Sequence, residues 1–201
     1  MAEDTYKTIL RPTENVLYKD RGSKFFGYAF PVTEEVNVKT FLEQLKKEHH
    51  NARHWCYAYR IGIENMIYRA NDDGEPNNSA GMPIYGQIQS FELKNILVVV
   101  VRYFGGIKLG VGGLITAYKT TAQLTLEKCK IVTKTINHTF LLTFDYKDMN
   151  KVMRVIKEKK LDVINQELMV NCKLTISVRK KEAANIFMLF DNSFGITIKA
   201  L

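Results

Sequence analysis

Cysteine, proline and tryptophan are all scarce in this chain of 201 residues. The three cysteines, Cys56, Cys129 and Cys172, lie 73 and 43 residues apart. An odd number without close pairing excludes a disulfide framework and a zinc cluster. Long apolar runs are missing too. The longest aliphatic stretch, Ile96–Val101, has six residues, against about 20 for a membrane-spanning helix. The start, Met1-Ala2-Glu3-Asp4-Thr5, lacks the basic and apolar regions of a signal peptide. A soluble, cytoplasmic protein with no membrane partner is therefore expected. Low hydrophobicity, the mark of disorder, is absent: 46% of residues are hydrophobic, enough for a core. Acidic residues are outnumbered by basic ones, giving a net charge of +8. That excess attracts polyanions through long-range fields and counterion release, although it also serves solubility alone.

Glycine and proline thin out abruptly. Only Gly195 follows Gly113, and no proline follows Pro83. This predicts a loop-rich first domain, residues 1–132, and a regular second one, residues 133–201. The charge divides near the same place, with +3 in residues 1–130 and +5 in 131–201.

In the second half, residues 139–145 suit a strand. Met149, Val152, Met153 and Ile156 then mark one helical face. Val170, Cys172, Leu174, Ile176 and Val178 alternate with polar residues, predicting a half-buried strand paired with 161–168. Ala183, Ile186, Phe187 and Phe190 predict a second helix, and Phe194–Ala200 a last strand. The order β-α-β-β-α-β is the split βαβ, ferredoxin-like arrangement. In the first half, Val16–Asp20 and Phe25–Val32 read as a hairpin around Arg21-Gly22-Ser23. A helix capped by Thr33 runs to about His49, and a second hairpin joins His54–Ile63 to Met66–Ala70. A helix over Gly81–Phe91, a buried strand over Asn95–Phe104, a glycine loop over 105–113 and a helix over Leu114–Lys128 complete the α+β reading.

Four features carry chemistry. Five glycines fall in residues 105–113, between a buried strand and a helix. There bare backbone and a helix N-terminus suit phosphate or carboxylate; a strained turn is the other reading. The Walker A and dinucleotide patterns both fail at their defining positions. Asp72-Asp73-Gly74-Glu75-Pro76 offers three carboxylates for a cation or for acid–base work, or simply a solvated turn. On the strand after Ala52, His54 and Cys56 share one face. Same-face neighbours two apart stand roughly 7 Å from each other, too far for a thiolate–imidazole pair. The opposite face, Arg53, Trp55, Tyr57 and Tyr59, offers either a base-stacking platform or ordinary packing. Finally, Lys147, Lys151 and Arg154 form a basic stripe near Lys157, Lys159 and Lys160. It suits phosphate backbones, acidic proteins or a solvated face.

Arg102-Tyr103-Phe104-Gly105-Gly106 through Gly110, then Gly112-Gly113-Leu114 and Ala117-Tyr118, resembles the signature of the YigZ/IMPACT family. Asp72-Asp73-Gly74-Glu75-Pro76 with Ala80-Gly81-Pro83, and His54-Cys56-Ala58, match its other motifs in order. Asn77-Asn78-Ser79 departs from it, where the family often has a glycine and a threonine. The resemblance covers about residues 1–130 closely, and the tail matches the smaller C-terminal domain of the bacterial branch. It implies a two-domain α+β protein. Its larger domain would be similar to a ribosomal-protein and elongation factor G domain IV fold, its smaller one to domain V of that factor. Eukaryotic relatives regulate translation through an added N-terminal domain, for which this chain has no room.

The residues nominated for binding are Arg53, His54, Cys56, Asp72, Asp73, Glu75, Arg102, Tyr103, Phe104, Gly105, Gly106, Lys108, Gly110, Gly112, Gly113 and Tyr118. No catalytic residue, metal or cofactor is expected. Two functions stand side by side. One is a non-enzymatic, translation-associated protein that binds RNA, the ribosome, a ribosome-bound factor or another translation-related protein, without DNA sequence specificity. The other is an enzyme acting on an anionic small molecule, which requires loops 72–76 and 105–113 to converge. A pure protein-interaction adaptor is the third.

Overall fold

The structure, a computed structural model, describes residues 4–13 and 15–201. The start Met1-Ala2-Glu3 read above lies outside the described residues. Two compact units divide the chain. One is Tyr6–Lys134; the other is Thr135–Leu201, to which the N-terminal Asp4 and Thr5 belong.

The first unit contains β1 (Thr5–Ile9), β2 (Val16–Asp20), β3 (Ser23–Pro31), α1 (Glu35–Glu48), β4 (His54–Ile61), β5 (Ile67–Asn71), α2 (Gly81–Ser90), β6 (Ile96–Tyr103), α3 (Gly110–Glu127) and β7 (Ile131–Thr135). Five strands form a sheet in the order β2-β3-β6-β4-β5, every neighbour antiparallel. The unbroken apolar run of β6 is explained by its central place. Leu97, Val99 and Val101 point into the core beneath α1, while Ile96, Val98 and Val100 point into the core beneath α2 and α3. All six are fully buried. At about 1.5–3 kcal/mol each, they contribute on the order of 10 kcal/mol against chain entropy.

The β2–β3 turn is two residues, Arg21 at φ 43° and Gly22 at φ 79°. That is the mirror-image turn whose twist fits a hairpin. β1 pairs with β7 in a small separate sheet. Neither strand shows in the sequence pattern, because five residues with mixed burial give no periodic signal.

Two helix starts differ from expectation. Thr33 does not cap α1: Glu34 holds the cap position with extended backbone and no side-chain cap, so the helix begins too late for the Thr33 hydroxyl to serve. α3 begins at Gly110, four residues before the expected Leu114. Gly110, Gly112 and Gly113 therefore form its first turn rather than a loop. Leu114, Ala117, Tyr118, Thr121, Ala122, Thr125 and Leu126 make one buried stripe, and that packing outweighs the poor helix propensity of the glycines.

The second unit contains β8 (Asn137–Asp145), α4 (Met149–Lys159), β9 (Asp162–Glu167), β10 (Asn171–Arg179), α5 (Lys180–Asp191) and β11 (Ile196–Ala200). The sheet order is β11-β8-β10-β9, antiparallel throughout, with both helices in one core against it. This is the ferredoxin-like arrangement expected. Cys172, Leu174, Ile176 and Val178 are buried. Val170 and Phe194, expected to begin strands, stand in loops at 83% and 95% exposure. The alternation at Val170 is thus accidental, since the pairing of β10 with β8 begins at Asn171. Asp4 belongs here: its carboxylate accepts from Arg179 Nε at 2.6 Å, and its carbonyl from the Ile136 amide at 2.7 Å.

Candidate functional site

The C-terminal end of β6 sets the site. Arg102 is flanked across the sheet by Phe25 on β3 and His54 on β4. Its side chain therefore lies on the α2/α3 face, 5% of the residue being exposed. There Nη1 donates to Glu75 Oε1 at 2.6 Å, and the Tyr118 hydroxyl donates to the same oxygen at 2.8 Å. The guanidinium carbon stands 5.6 Å from the ring centres of both Phe25 and Phe104. Ser23 Oγ accepts from the Gly105 amide at 3.2 Å, tying the hairpin to the strand's exit. A Cβ on Gly105 would sit 1.9 Å from the carbonyl carbon of Gly22. Only a glycine lets these two backbones meet.

The Cys56 thiol belongs to the same network. Sγ lies 3.0 Å from the Asp72 carbonyl and 3.3 Å from the Tyr118 hydroxyl, and its one proton serves one of them at a time. Burial, above all, pushes both the thiol and the phenol well above their ordinary values. Cys56 is fully buried and stays protonated, which removes it as a nucleophile.

The acidic loop turns inward. Asp72 Oδ1 accepts from the amides of Ala80 and Gly81 at 3.0 and 2.8 Å, and Oδ2 from Asn78 at 2.8 Å. Asp72 thereby caps α2 from eight residues upstream. Asp73 Oδ2 accepts from the Trp55 amide at 2.7 Å, and the Asp73 carbonyl accepts from His54 Nδ1 at 2.9 Å. Loops 72–76 and 105–113 do converge: Glu75 and Pro76 line one cleft of about 320 Å³ with Arg102, Phe104, Lys108 and the start of α3. The loop's three carboxylates are all engaged by the protein's own donors. Among the described residues, no group of three His, Cys, Asp or Glu side chains is placed to hold a metal ion.

Several nominated residues part company. Tyr103 follows Arg102 on β6 but points to the opposite face, where its hydroxyl lies 3.0 Å from His49 Nδ1. His49 Nε2 is 2.5 Å from the Tyr28 hydroxyl. Burial lowers the pKa of this ring and raises that of Tyr28 to about 12. Trp55, Tyr57 and Tyr59 pack against the core beneath α1, and Tyr59 donates to Glu35 on that helix. Tyr59 is part of that core, and Trp55 and Tyr57 are partly buried against it. Arg53 is exposed just before β4. The C-terminal stripe is broken as well. Lys147 lies in a single 3-10 turn ahead of α4, paired with Asp145 at 3.1 Å. Arg154 faces Glu158 at 3.9 Å, and Lys151 donates to the Phe194 carbonyl at 2.8 Å. Ser23, Phe25 and His49 were not foreseen. Their partners lie 79, 77 and 54 residues away in sequence, and nothing local marks them.

Around the cleft, Phe104, Ile107 and Val111 are about half exposed, at 46%, 56% and 53%. Gly106, Gly110 and Gly112 leave backbone where an added Cβ would meet nothing within 4 Å. The exposed cations Arg21, Lys24 and Lys108 make no ion pair among the described residues.

The Impact N-terminal domain family matches residues 21–126, which holds this whole constellation. This chain belongs to the IMPACT family. The IMPACT family member YvyE of Bacillus subtilis (strain 168) is 33% identical over 178 residues, covering 89% of this chain and 82% of that protein. YigZ of Escherichia coli (strain K12) is 33% identical over 132 residues, 65% of each chain. Protein IMPACT of Mus musculus is 38% identical over 96 residues, 45% of this chain but only 30% of the mouse protein. A crystal structure described as that of a hypothetical protein covers 99% of this chain and 98% of its own, at a TM-score of 0.73 and 26% identity. The family model thus lies within the N-terminal unit, and the similarity to YvyE, over 89% of this chain, reaches into the second. Among the described residues, no helix is long and apolar enough to cross a membrane.

Proposed function

We propose that the chain is a translation-associated regulatory protein that works by binding, contacting RNA, the ribosome or a ribosome-bound factor through the cleft between β6 and α3. Membership of the IMPACT family, with what that resemblance implies, supports the translational part. The observation that carries the binding part is the cleft itself. It joins an exposed aromatic ring, bare backbone and Lys108, a cation without an ion-pair partner among the described residues, over a base fixed by a buried ion pair. Such a surface is preorganised to receive a ligand. Engagement of all three loop carboxylates by internal donors supports binding over acid–base chemistry.

Co-sedimentation with ribosomes at low and high salt tests this. Retention at about 50 mM salt that fades toward about 200 mM is expected, with Lys108→Ala weakening it. Background-level recovery at low salt overturns it. Pull-down from lysate with and without ribonuclease separates RNA-borne contacts from contacts to protein.

A further inference from the structure

We propose that the cleft holds one unpaired nucleotide of an RNA strand, its base against the open face of Phe104 and its phosphate at the amino end of α3 beside Lys108. This deepens the RNA-binding arm of the function above and rests on it.

The volume, about 320 Å³, is at the lower end of small-ligand sites. Phe104 is held by Arg102, which is itself fixed by Glu75, yet 46% of the residue remains exposed. A half-open ring on a rigid support is a stacking platform for an unstacked base. Next to it α3 opens without an acidic residue in its first turn and without a side-chain cap at Leu109. No acidic side chain of that turn answers its leading amides and the positive end of its dipole, and phosphate is a group such an end receives.

An independent observation concerns Arg102. Its Nε is buried in the cleft wall with no hydrogen-bond partner among the described residues. Buried donors are rarely left so, and a ligand acceptor reaching the cleft wall would pair with it.

The rim selects a polyanion. The Arg21-Gly22 turn abuts Gly105. With Lys108 this places two cations without ion-pair partners among the described residues near the cleft, whose carboxylate, Glu75, is already neutralised by Arg102. Phosphates on either side of the bound nucleotide fit those cations. An acidic peptide satisfies the charge but leaves the flat face of Phe104 without its natural complement.

The test uses the full chain, isotope-labelled for NMR, with a fluorescein-tagged uridine hexamer, uridine monophosphate and inorganic phosphate as probes. The hexamer is expected to shift the amides of Gly110–Gly113 and the Phe104 ring, whereas phosphate alone shifts only the amides. Phe104→Leu should weaken hexamer binding about tenfold. Lys108→Ala should lower the salt slope of binding by about 0.7. Hexamer affinity untouched by Phe104→Leu overturns the proposal. So does monophosphate binding as tightly as the hexamer, or cleft shifts produced by an acidic, leucine-containing tetrapeptide and not by RNA. Ribosome retention that survives Phe104→Leu defeats this inference alone. Hexamer binding in the cleft without ribosome retention defeats the translational reading and leaves the nucleotide site standing.

Discussion

Replacing Glu75 by glutamine removes one charge from the pair at the base of the cleft and leaves the other buried. The two side chains, Arg102 and Glu75, are 6% and 4% exposed and meet at 2.6 Å. Breaking a buried pair from one side costs about 3–5 kcal/mol, because the remaining charge is uncompensated. Glutamine still offers an oxygen to the Tyr118 hydroxyl, so that hydrogen bond, about 1 kcal/mol net, is kept. The rings of Phe25 and Phe104 retain about 0.5–2 kcal/mol of cation–π attraction for the orphaned guanidinium. The expected loss is therefore about 3 kcal/mol. Adding Arg102→Met should return most of it, since the double variant holds no buried charge. Urea unfolding followed by tryptophan fluorescence measures both. Trp55 is the only tryptophan and packs against the core beneath α1, so its emission reports the first unit by itself. A loss below about 1 kcal/mol, or strict additivity of the two substitutions, would refute the argument that this pair is buried and mutually dependent.

Two further outcomes follow from the network. Asp72→Ala strips acceptors from the amides of Asn78, Ala80 and Gly81. A loss of about 2–4 kcal/mol is expected from the missing cap and the charge-assisted bonds, read by the same urea transition. His49 makes stability depend on pH. Burial lowers its folded pKa, so the unfolded chain takes up a proton first, near about 6.5. Stability should be level above that value and fall as pH drops from it toward the folded pKa. Tyr28 and Tyr103 flank the ring, and Glu48, 3.8 Å from Nε2, opposes the shift only in part. In His49→Gln the slope between about pH 6.5 and 5 should flatten; an unchanged slope would assign the effect to other groups.

The second unit was legible almost residue by residue, because alternation in β10 and the 3.6-residue spacing in α5 each express one buried face. The glycine-rich opening of α3 was not. Local propensity argues for a loop there, and only the stripe from Leu114 to Leu126, buried against the sheet, draws the first turn into helix. At the candidate site, sequence named Glu75, Arg102 and Tyr118 but as members of separate motifs. They meet because Arg102 pairs across the sheet with Phe25 and His54, a register that no local pattern encodes. Tyr103 was grouped with Arg102 by adjacency, whereas adjacent residues on a strand face opposite ways. The carboxylates of Asp72 and Asp73 looked free because their partners are backbone amides, which every residue but proline carries and which composition cannot distinguish.

The place of Asp4 bears on how the protein is made. The residues of the first unit, ending at Lys134, leave the ribosome before those of most of the second. The carboxylate of Asp4 serves Arg179, 175 positions later. At about 5–20 residues per second, it waits on the order of 10–35 s for its partner. A fragment beginning at Thr135 never receives that carboxylate or the carbonyl that holds Ile136. The second unit is thus built from residues far apart in the order of synthesis, and a clean dissection of it must carry Asp4 and Thr5 with it.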